Sequence, residues 1–222
     1  MKPPLIVINF KAYSESAGER GLALARICQA VARETSTSIA ICPQVQDLSW
    51  IARQVEIPCF AQHADRFEPG PRTGYTVLEG IKAGGGLGTL LNHSEHHILL
   101  AEVDEAVERA RSLGLLAIVC ANNTRVSATA AALHPYAVAV EPPALIGTGM
   151  AVSKADPEIV STSVETVKGI DEKVLVLCGA GITTGEDVRA AIELGAEGVL
   201  LASGVVKAKN PGAVLRDLTS GL

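Results

Sequence analysis

Several features are scarce in this chain of 222 residues, and each scarcity argues against a class of protein. Aromatic residues make up 3% of the sequence, too few to suggest a surface that stacks nucleic-acid bases. The formal net charge is -5 and lysine and arginine form no run, so the sequence offers no basic surface for nucleic acid or an anionic membrane. Apolar runs fall short of the ~20 residues of a membrane span. The first ten residues do not resemble a secretory signal.

Cysteine is present without the spacing of a metal or disulfide site. The five cysteines are an odd number and none forms a C-x-x-C pair. Most of them lie in or beside apolar runs, where a free cysteine behaves as a small buried hydrophobe. We therefore expect free thiols at Cys28, Cys42, Cys59, Cys120 and Cys178, and a reducing, cytoplasmic location.

Short apolar runs alternate along the chain with longer segments of helical periodicity. The runs are nearly continuous in apolar residues, as expected for strands of a parallel sheet that is buried on both faces. The predicted strands are residues 5–10, 39–42, 58–61, 87–91, 115–120, 137–141, 174–178 and 198–201. The predicted helices are residues 17–34, 45–54, 76–83, 101–113, 125–133, 157–167, 185–194 and 211–219.

Boundary residues support this division. Asp156 precedes Pro157 as a capping residue before the first helical position, Thr184 precedes an acidic first turn, and Gly195 follows a helix end. No linker or shift in composition divides the chain. Eight strands that alternate with eight helices in one domain, residues 1–222, predict an α/β fold of the (β/α)8 barrel type. An open doubly wound sheet is the alternative, but the first strand lacks the glycine-rich nucleotide fingerprint.

Polar side chains follow the predicted strands where a barrel places its active groups, at their carboxyl ends. Asn9 and Lys11 end the first strand, on one face if the chain stays extended. His93 follows the fourth strand and Glu141 ends the sixth. The segment 142–149 that follows begins with two prolines and ends with glycines, which suggests a general base beneath a hinged lid.

Two glycine-bearing turns follow the last two strands. Gly179-Ala180-Gly181 and Ala202-Ser203-Gly204 carry little side-chain bulk, so their backbone N–H groups can approach an anion. The loops after strands seven and eight often bind phosphate in this fold. Small residues also suit tight turns, but the two together at these strands favour a phosphate site.

Three interpretations remain open for Lys11: a solvated lysine, a Schiff-base nucleophile, or a positive charge that stabilises an enolate-like intermediate. The cluster from His93 to His97 suggests a metal only weakly, because successive residues do not converge on one ion. His93 fits better as a neutral donor to a carbonyl. His63 and His134 have no evident partner in the sequence.

Several of these segments together resemble the triosephosphate isomerase family in its short, archaeal form. The matches fall in order and span nearly the whole chain, and their combination is specific although each piece is not. They are Asn9-Phe10-Lys11, Ala61-Gln62, Thr73-Gly74, Asn92-His93-Ser94-Glu95, Glu141-Pro142-Pro143, Ile146-Gly147-Thr148-Gly149, Gly179-Ala180-Gly181-Ile182 and Leu200-Leu201-Ala202-Ser203.

The resemblance implies a role for each matching residue, and implies neither a cofactor nor a metal. Glu141 would move a proton between two carbons of a triose phosphate, and His93 would polarise its carbonyl. Lys11 would balance its charge, and residues 142–149 would exclude water. The residues implied to contact substrate are Asn9, Phe10 and Lys11, with the backbones of Ile146, Gly181, Ala202 and Ser203 at the phosphate and Gly147 and Gly179 nearby.

The sequence also departs from the family pattern. Ala144 stands where the lid usually has a second glutamate, and Cys178 stands where a smaller polar residue is more common. Glu95 matches a family carboxylate next to the histidine. The Thr73-Gly74 segment matches a loop that packs against a neighbouring subunit, so the resemblance implies a homo-oligomer. It favours a tetramer, although the sequence does not exclude a dimer.

Three functions are consistent with the sequence: an isomerase acting through Glu141, an aldolase with a Schiff base on Lys11, and a phosphate-binding protein without catalysis.

Overall fold

Eight parallel strands alternate with helices in the computed structural model, which describes residues 1–142 and 151–222. The strands are β1 (Leu5–Asn9), β2 (Ser38–Cys42), β3 (Phe60–Ala61), β4 (Gly88–Leu91), β5 (Leu116–Ala121), β6 (Ala137–Val140), β7 (Leu175–Gly179) and β8 (Gly198–Leu201). They pair in the order β2-β1-β8-β7-β6-β5-β4-β3. A parallel bridge between Ile41 and Cys59 joins the two ends of this sheet. The fold is the predicted (β/α)8 barrel.

The strands are buried on both faces, which explains their nearly continuous apolar sequence. Alternate residues form a cluster made only of strand side chains, among them Leu5, Val7 and Leu177, and this cluster fills the barrel. The intervening residues, such as Ile6 and Ile8, pack against the helices. The inward alternation continues past the apolar residues to Asn9 on β1, Glu141 after β6 and Gly179 on β7.

The helices surround the barrel and follow the predicted pattern with modest shifts. They are α1 (Glu19–Thr35), α2 (Leu48–Ala52), α3 (Leu78–Ala83), α4 (Leu100–Ser112), α5 (Thr124–Ala131), α6 (Val152–Ala155), α7 (Pro157–Ile170), α8 (Gly185–Glu193), α9 (Ser203–Val206) and α10 (Pro211–Thr219). Asp156 and Thr184 accept the expected capping hydrogen bonds. Gly195 has a positive φ of 93° after α8. None of the helices in the described ranges is long and apolar enough to cross a membrane.

Short elements account for most differences from the prediction. The third strand is shorter than predicted, and the second helix covers only Leu48–Ala52. Helices α6 and α9 and a 3₁₀ turn at Ser14–Ser16 were not predicted. Segments this short have too few residues to show an amphipathic period, so their conformation depends on tertiary contacts.

Candidate active site

Glu141 lies at the mouth of the barrel, directly after β6. Its backbone N–H donates to the carbonyl of Ala121 at 2.8 Å, which fixes its position beside β5. The residue is 6% exposed, and its Oε2 is buried with no hydrogen-bond partner among the described residues. Burial raises the pKa of Glu141, against smaller opposing effects of His93, the Cys120 thiol and Lys11. A buried carboxylate with a free oxygen has the properties of a general base.

The ring of His93 is oriented toward this carboxylate. Its Nε2 lies 3.5 Å from Oε2 of Glu141, and both side chains are buried. The backbone N–H of Glu95 donates to Nδ1 of His93 at 3.1 Å. An atom that accepts a hydrogen bond carries no proton, so this contact assigns a neutral imidazole with its hydrogen on Nε2. The Nε2–H group is thus available as a hydrogen-bond donor inside the cleft.

The lysine at the end of β1 is held by two contacts. Lys11 has a positive φ of 46°, and its N–H donates to Oδ1 of Asn9 at 2.9 Å. The chain therefore turns after Asn9 and is not extended there as expected, although Asn9 and Lys11 both line the same cleft. Nζ of Lys11 lies 2.8 Å from Oε1 of Glu95, which forms an ion pair. Glu95 thus contacts His93 through its backbone and Lys11 through its side chain.

Two glutamines support this turn, although the sequence predicts a role for neither. Nε2 of Gln62 donates to the carbonyls of Lys11 and Cys42, at 3.1 and 3.0 Å. Nε2 of Gln44 donates to the carbonyl of Tyr13 at 2.8 Å. The signal available in the sequence was an amide within two residues of a strand end. Phe10 directly precedes Lys11, and its side chain is wholly buried in the core.

Both predicted phosphate turns border the same cleft as His93 and Glu141. Ala180 and Gly181 both have positive φ, 71° and 73°, so their N–H groups turn away from the β7 ladder. Within the described ranges the N–H of Gly181 donates to no acceptor. Ser203 begins α9, and Ala202 precedes it with an irregular backbone. Both turns thus line the cleft together with Lys11 and Glu141.

Part of the predicted site lies outside the described residues. This applies to Ala144, Ile146 and Gly147, and to most of the predicted lid, residues 142–149. Of that segment the structure describes only Pro142.

His63 and His134, which have no evident partner in the sequence, both have partners in the structure. His63 stacks on His96 with ring centroids 4.1 Å apart, and its Nε2 lies 3.3 Å from Oδ1 of Asp65. His134 pairs with Asp171 at 2.7 Å. Both therefore have partners that the sequence did not reveal, since the contacts to His96 and Asp171 join distant parts of the chain. No group of three or more metal-binding side chains occurs within residues 1–142 and 151–222.

Comparison with known proteins agrees with this geometry. The model of the family described as triosephosphate isomerase matches residues 4–219. The chain belongs to the triosephosphate isomerase family. It is 54% identical over 214 residues to the triosephosphate isomerase of Methanocaldococcus jannaschii, covering 96% of this chain and 98% of that protein. It is 52% identical over 224 residues to that of Methanopyrus kandleri, covering 100% and 99%. Like these relatives, it is an isomerase of the intramolecular oxidoreductase type.

One departure from the triosephosphate isomerase pattern lies in the described residues and does not reach the cleft. The side chain of Cys178 is wholly buried and belongs to the cluster that packs against the helices. Burial raises the pKa of Cys178 to about 12, so the thiol stays protonated at neutral pH. It is a packing residue rather than a nucleophile. All five cysteines are buried and free, as expected.

Proposed function

We propose that this chain interconverts dihydroxyacetone phosphate and D-glyceraldehyde 3-phosphate by proton transfer through an enediolate. Glu141 removes a proton from the hydroxymethyl carbon and returns it to the neighbouring carbon. One hydroxyl proton also passes from the hydroxymethyl oxygen to the former carbonyl oxygen, so the reaction balances without a cofactor. The Nε2–H of His93 donates to the carbonyl oxygen on which negative charge develops.

The observation that carries this proposal is the relation between Glu141 and His93. Oε2 of Glu141 is buried without a hydrogen-bond partner among the described residues, 3.5 Å from Nε2 of His93. An unsatisfied buried carboxylate oxygen is unfavourable, and such groups are concentrated at functional sites. A substrate bound in the cleft that both residues line would meet a base in Glu141 and a hydrogen-bond donor in His93.

Lys11 fits a charged role better than a Schiff base. A lysine that attacks a carbonyl must be neutral, which requires desolvation without a counterion. Lys11 instead has a counterion, the Glu95 carboxylate, at 2.8 Å. We therefore propose that Lys11 balances negative charge on the substrate, while Asn9 and Phe10 fix the turn that presents it. Borohydride trapping with a triose phosphate tests this role: we expect no covalent adduct on Lys11, whereas an adduct would indicate an aldolase.

Backbone donors supply the proposed phosphate site. Gly181, Ala202 and Ser203 line the cleft opposite Lys11, and we propose that their N–H groups bind the phosphate. Ile146, with Gly147 and Gly179 nearby, is proposed to complete this site, and residues 142–149 to exclude water from the intermediate.

Exchange of substrate C–H with deuterated water tests the proposal directly. We expect wild-type protein to catalyse exchange, and Glu141→Gln to lose about 10²- to 10⁴-fold in turnover, the usual contribution of a general base. Glu158→Gln, which alters an exposed carboxylate on α7, serves as the matched control and should retain full activity.

Two results would contradict the proposal. Full activity of Glu141→Gln would exclude Glu141 as the base. Binding of a triose phosphate without any exchange by the wild-type protein would indicate a binding protein without catalysis.

We further propose that residues 1–222 form a single domain that acts in the cytoplasm, in glycolysis and gluconeogenesis. The five free cysteines are consistent with a reducing compartment.

We also propose that the chain forms a homotetramer. Two separate surfaces support self-association. One is the loop around Thr73 and Gly74, where Tyr75 is 51% exposed beside a large cleft at the barrel mouth. The other is the start of α4, where Leu99 and Leu100 are 71% and 55% exposed beside an apolar groove. Two different self-complementary surfaces generate a closed tetramer, whereas one generates a dimer.

Sedimentation equilibrium of the wild-type protein and of Leu100→Glu tests this assembly. We expect a tetramer for the wild type and a dimer for the variant. An unpaired carboxylate buried at the α4 interface is unfavourable and should disrupt that interface, while the interface around Thr73 and Gly74 should remain intact. A wild-type monomer, or a tetramer that survives Leu100→Glu, would contradict the assignment of the surfaces.

A further inference from the structure

Among the described residues that line the cleft, no positively charged side chain is free of a negatively charged partner. Lys11 and Glu141 are the charged side chains among the described residues that line it, and their charges have opposite signs. Lys11 is also paired with Glu95. A phosphate group carries up to two negative charges near neutral pH, so Glu141 and Glu95 would repel it at distances within a Debye length. Backbone N–H groups offset part of this repulsion.

Lys207 is a cation close to the proposed phosphate turns. It directly follows α9, and its N–H donates to the carbonyl of Ser203, the first residue of that helix, at 3.1 Å. Its Nζ lies 4.2 Å from the centre of the Tyr13 ring. Lys207 forms no ion pair within 4.0 Å among the described residues. The pKa of the exposed Glu15 is lowered first by a hydrogen bond from Ser14 and to a smaller extent by the charge of Lys207, so this carboxylate offsets only part of that charge.

Tyr13 connects this ammonium group to the cleft. Its ring borders the cleft together with Gly181, Thr183 and Ser203. The carbonyl of Tyr13 accepts hydrogen bonds from Nε2 of Gln44 and from the hydroxyl of Ser16, at 2.8 and 3.0 Å. Both donors belong to buried residues, so the backbone beneath the ring is fixed. A cation over an aromatic face is attracted by the ring quadrupole and is therefore held in place.

We propose that Lys207, held over Tyr13, is a substrate-attracting cation that favours entry of a phosphate dianion into the cleft. This inference rests on the proposed function for the identity of the substrate. Because Lys207 is exposed and does not line the cleft, it raises the association rate and affinity for the phosphate and leaves the chemical step unchanged.

The experiment compares wild-type protein with Lys207→Gln, and with Lys209→Gln as the matched control. Lys209 is a second exposed lysine two residues further along the chain. Turnover of a triose phosphate is measured from low to high ionic strength, alongside turnover of glyceraldehyde, which has no phosphate. For Lys207→Gln we expect kcat/KM on the triose phosphate to fall about threefold to tenfold at low salt, with kcat preserved. The loss should shrink as salt screens the charge, and glyceraldehyde should show none.

A double-mutant cycle tests the contribution of Tyr13. Tyr13→Phe keeps the ring and should retain the effect of Lys207, whereas Tyr13→Leu should reduce it. An effect of Lys207→Gln that is the same with phenylalanine and leucine at position 13 would overturn the role of the ring.

Calorimetric titration with inorganic phosphate separates this inference from the proposed function. Weaker phosphate binding by Lys207→Gln than by Lys209→Gln supports the role of Lys207, even in a protein that proves inactive as an isomerase. Equal effects of the two substitutions, or an equal loss on glyceraldehyde, would overturn it. Failure of Glu141→Gln to alter turnover bears on the proposed function alone.

Discussion

Gly179 lies directly against Glu141, so that a Cβ at position 179 would overlap the Cγ of the glutamate and lie 2.9 Å from its Oε1. Residue 179 ends β7 and faces the barrel mouth. The absence of a side chain there leaves the space in which the carboxylate sits. This glycine therefore positions Glu141, in addition to forming a compact turn.

We predict that Gly179→Ala displaces the Glu141 carboxylate and reduces kcat/KM by about 10²-fold, the usual effect of misplacing a catalytic group by ~1 Å. The barrel should still fold, since the change adds one methyl group at the mouth. Enzyme kinetics and a thermal melt measure the two effects.

The control for this prediction is Gly169→Ala on α7, where an added Cβ meets no atom within 4 Å. It should leave activity unchanged and stabilise the fold by about 0.5–1 kcal/mol, because alanine favours a helix over glycine. Equal activity of both variants would show that Gly179 does not position the base.

Glu141 should lower the stability of the native state at neutral pH. Burial raises its folded-state pKa above the ordinary range, so the native protein binds its proton more tightly than the unfolded chain. Stability is then lost as pH rises from the ordinary glutamate pKa to the raised one, and the full penalty remains above it. We predict that Glu141→Gln, which cannot ionise, unfolds at higher denaturant concentration than wild type at pH 7. The difference should diminish toward pH 4. A less stable variant at pH 7 would contradict this prediction.

Lys11 and Glu95 form an ion pair, but we expect the loss of Lys11 to reduce activity more than the loss of Glu95. The Glu95 side chain is 56% exposed and that of Lys11 is 12% exposed. Partly exposed ion pairs contribute about 1 kcal/mol or less, so Glu95→Gln should lower kcat/KM by less than about tenfold. Lys11→Met removes a charge that faces the substrate and should cost about 10²-fold or more. Steady-state kinetics measures both effects. Equal impairment of Glu95→Gln and Lys11→Met would contradict this prediction and would indicate that Glu95 takes a direct part in the reaction.

Asp187 should stabilise the fold through the loop after β7. Its Oδ2 accepts the N–H and the hydroxyl of Thr183 and the N–H of Thr184, and Oδ1 lies 2.9 Å from Nζ of Lys154. Burial raises the pKa of Asp187, but these contacts outweigh burial and lower it to about 2. The stabilisation of the fold by Asp187 is therefore present above the ordinary aspartate pKa and is lost as pH falls toward 2.

We predict that Asp187→Asn lowers the free energy of unfolding at pH 7 by about 2 kcal/mol, and that the difference from wild type narrows on acidification. Chemical denaturation between pH 3 and pH 7 measures it. Glu186→Gln is the control, because Glu186 also pairs with Lys154 but is 79% exposed and should cost little.

The sequence by itself determined the barrel and the ends of its strands. Continuous apolar runs specify strands that are buried on both faces, and helices with capping residues separate them, which leaves few topologies. Parallel strands in a closed barrel direct their carboxyl ends to one mouth. The positions of the strands alone therefore predict that one cleft contains His93, Glu141 and the turn at Gly181. No contact between these residues needs to be known for this prediction.

Only the tertiary structure decided how these groups are held. The proton position on His93 depends on the N–H of Glu95, and the space for Glu141 depends on Gly179. The turn at Lys11 depends on the distant amide of Gln62. The sequence pattern reports burial and local conformation, since these repeat with the period of a strand or helix. Contacts between residues far apart in the chain have no such period, so they become visible only when the strands close into the barrel.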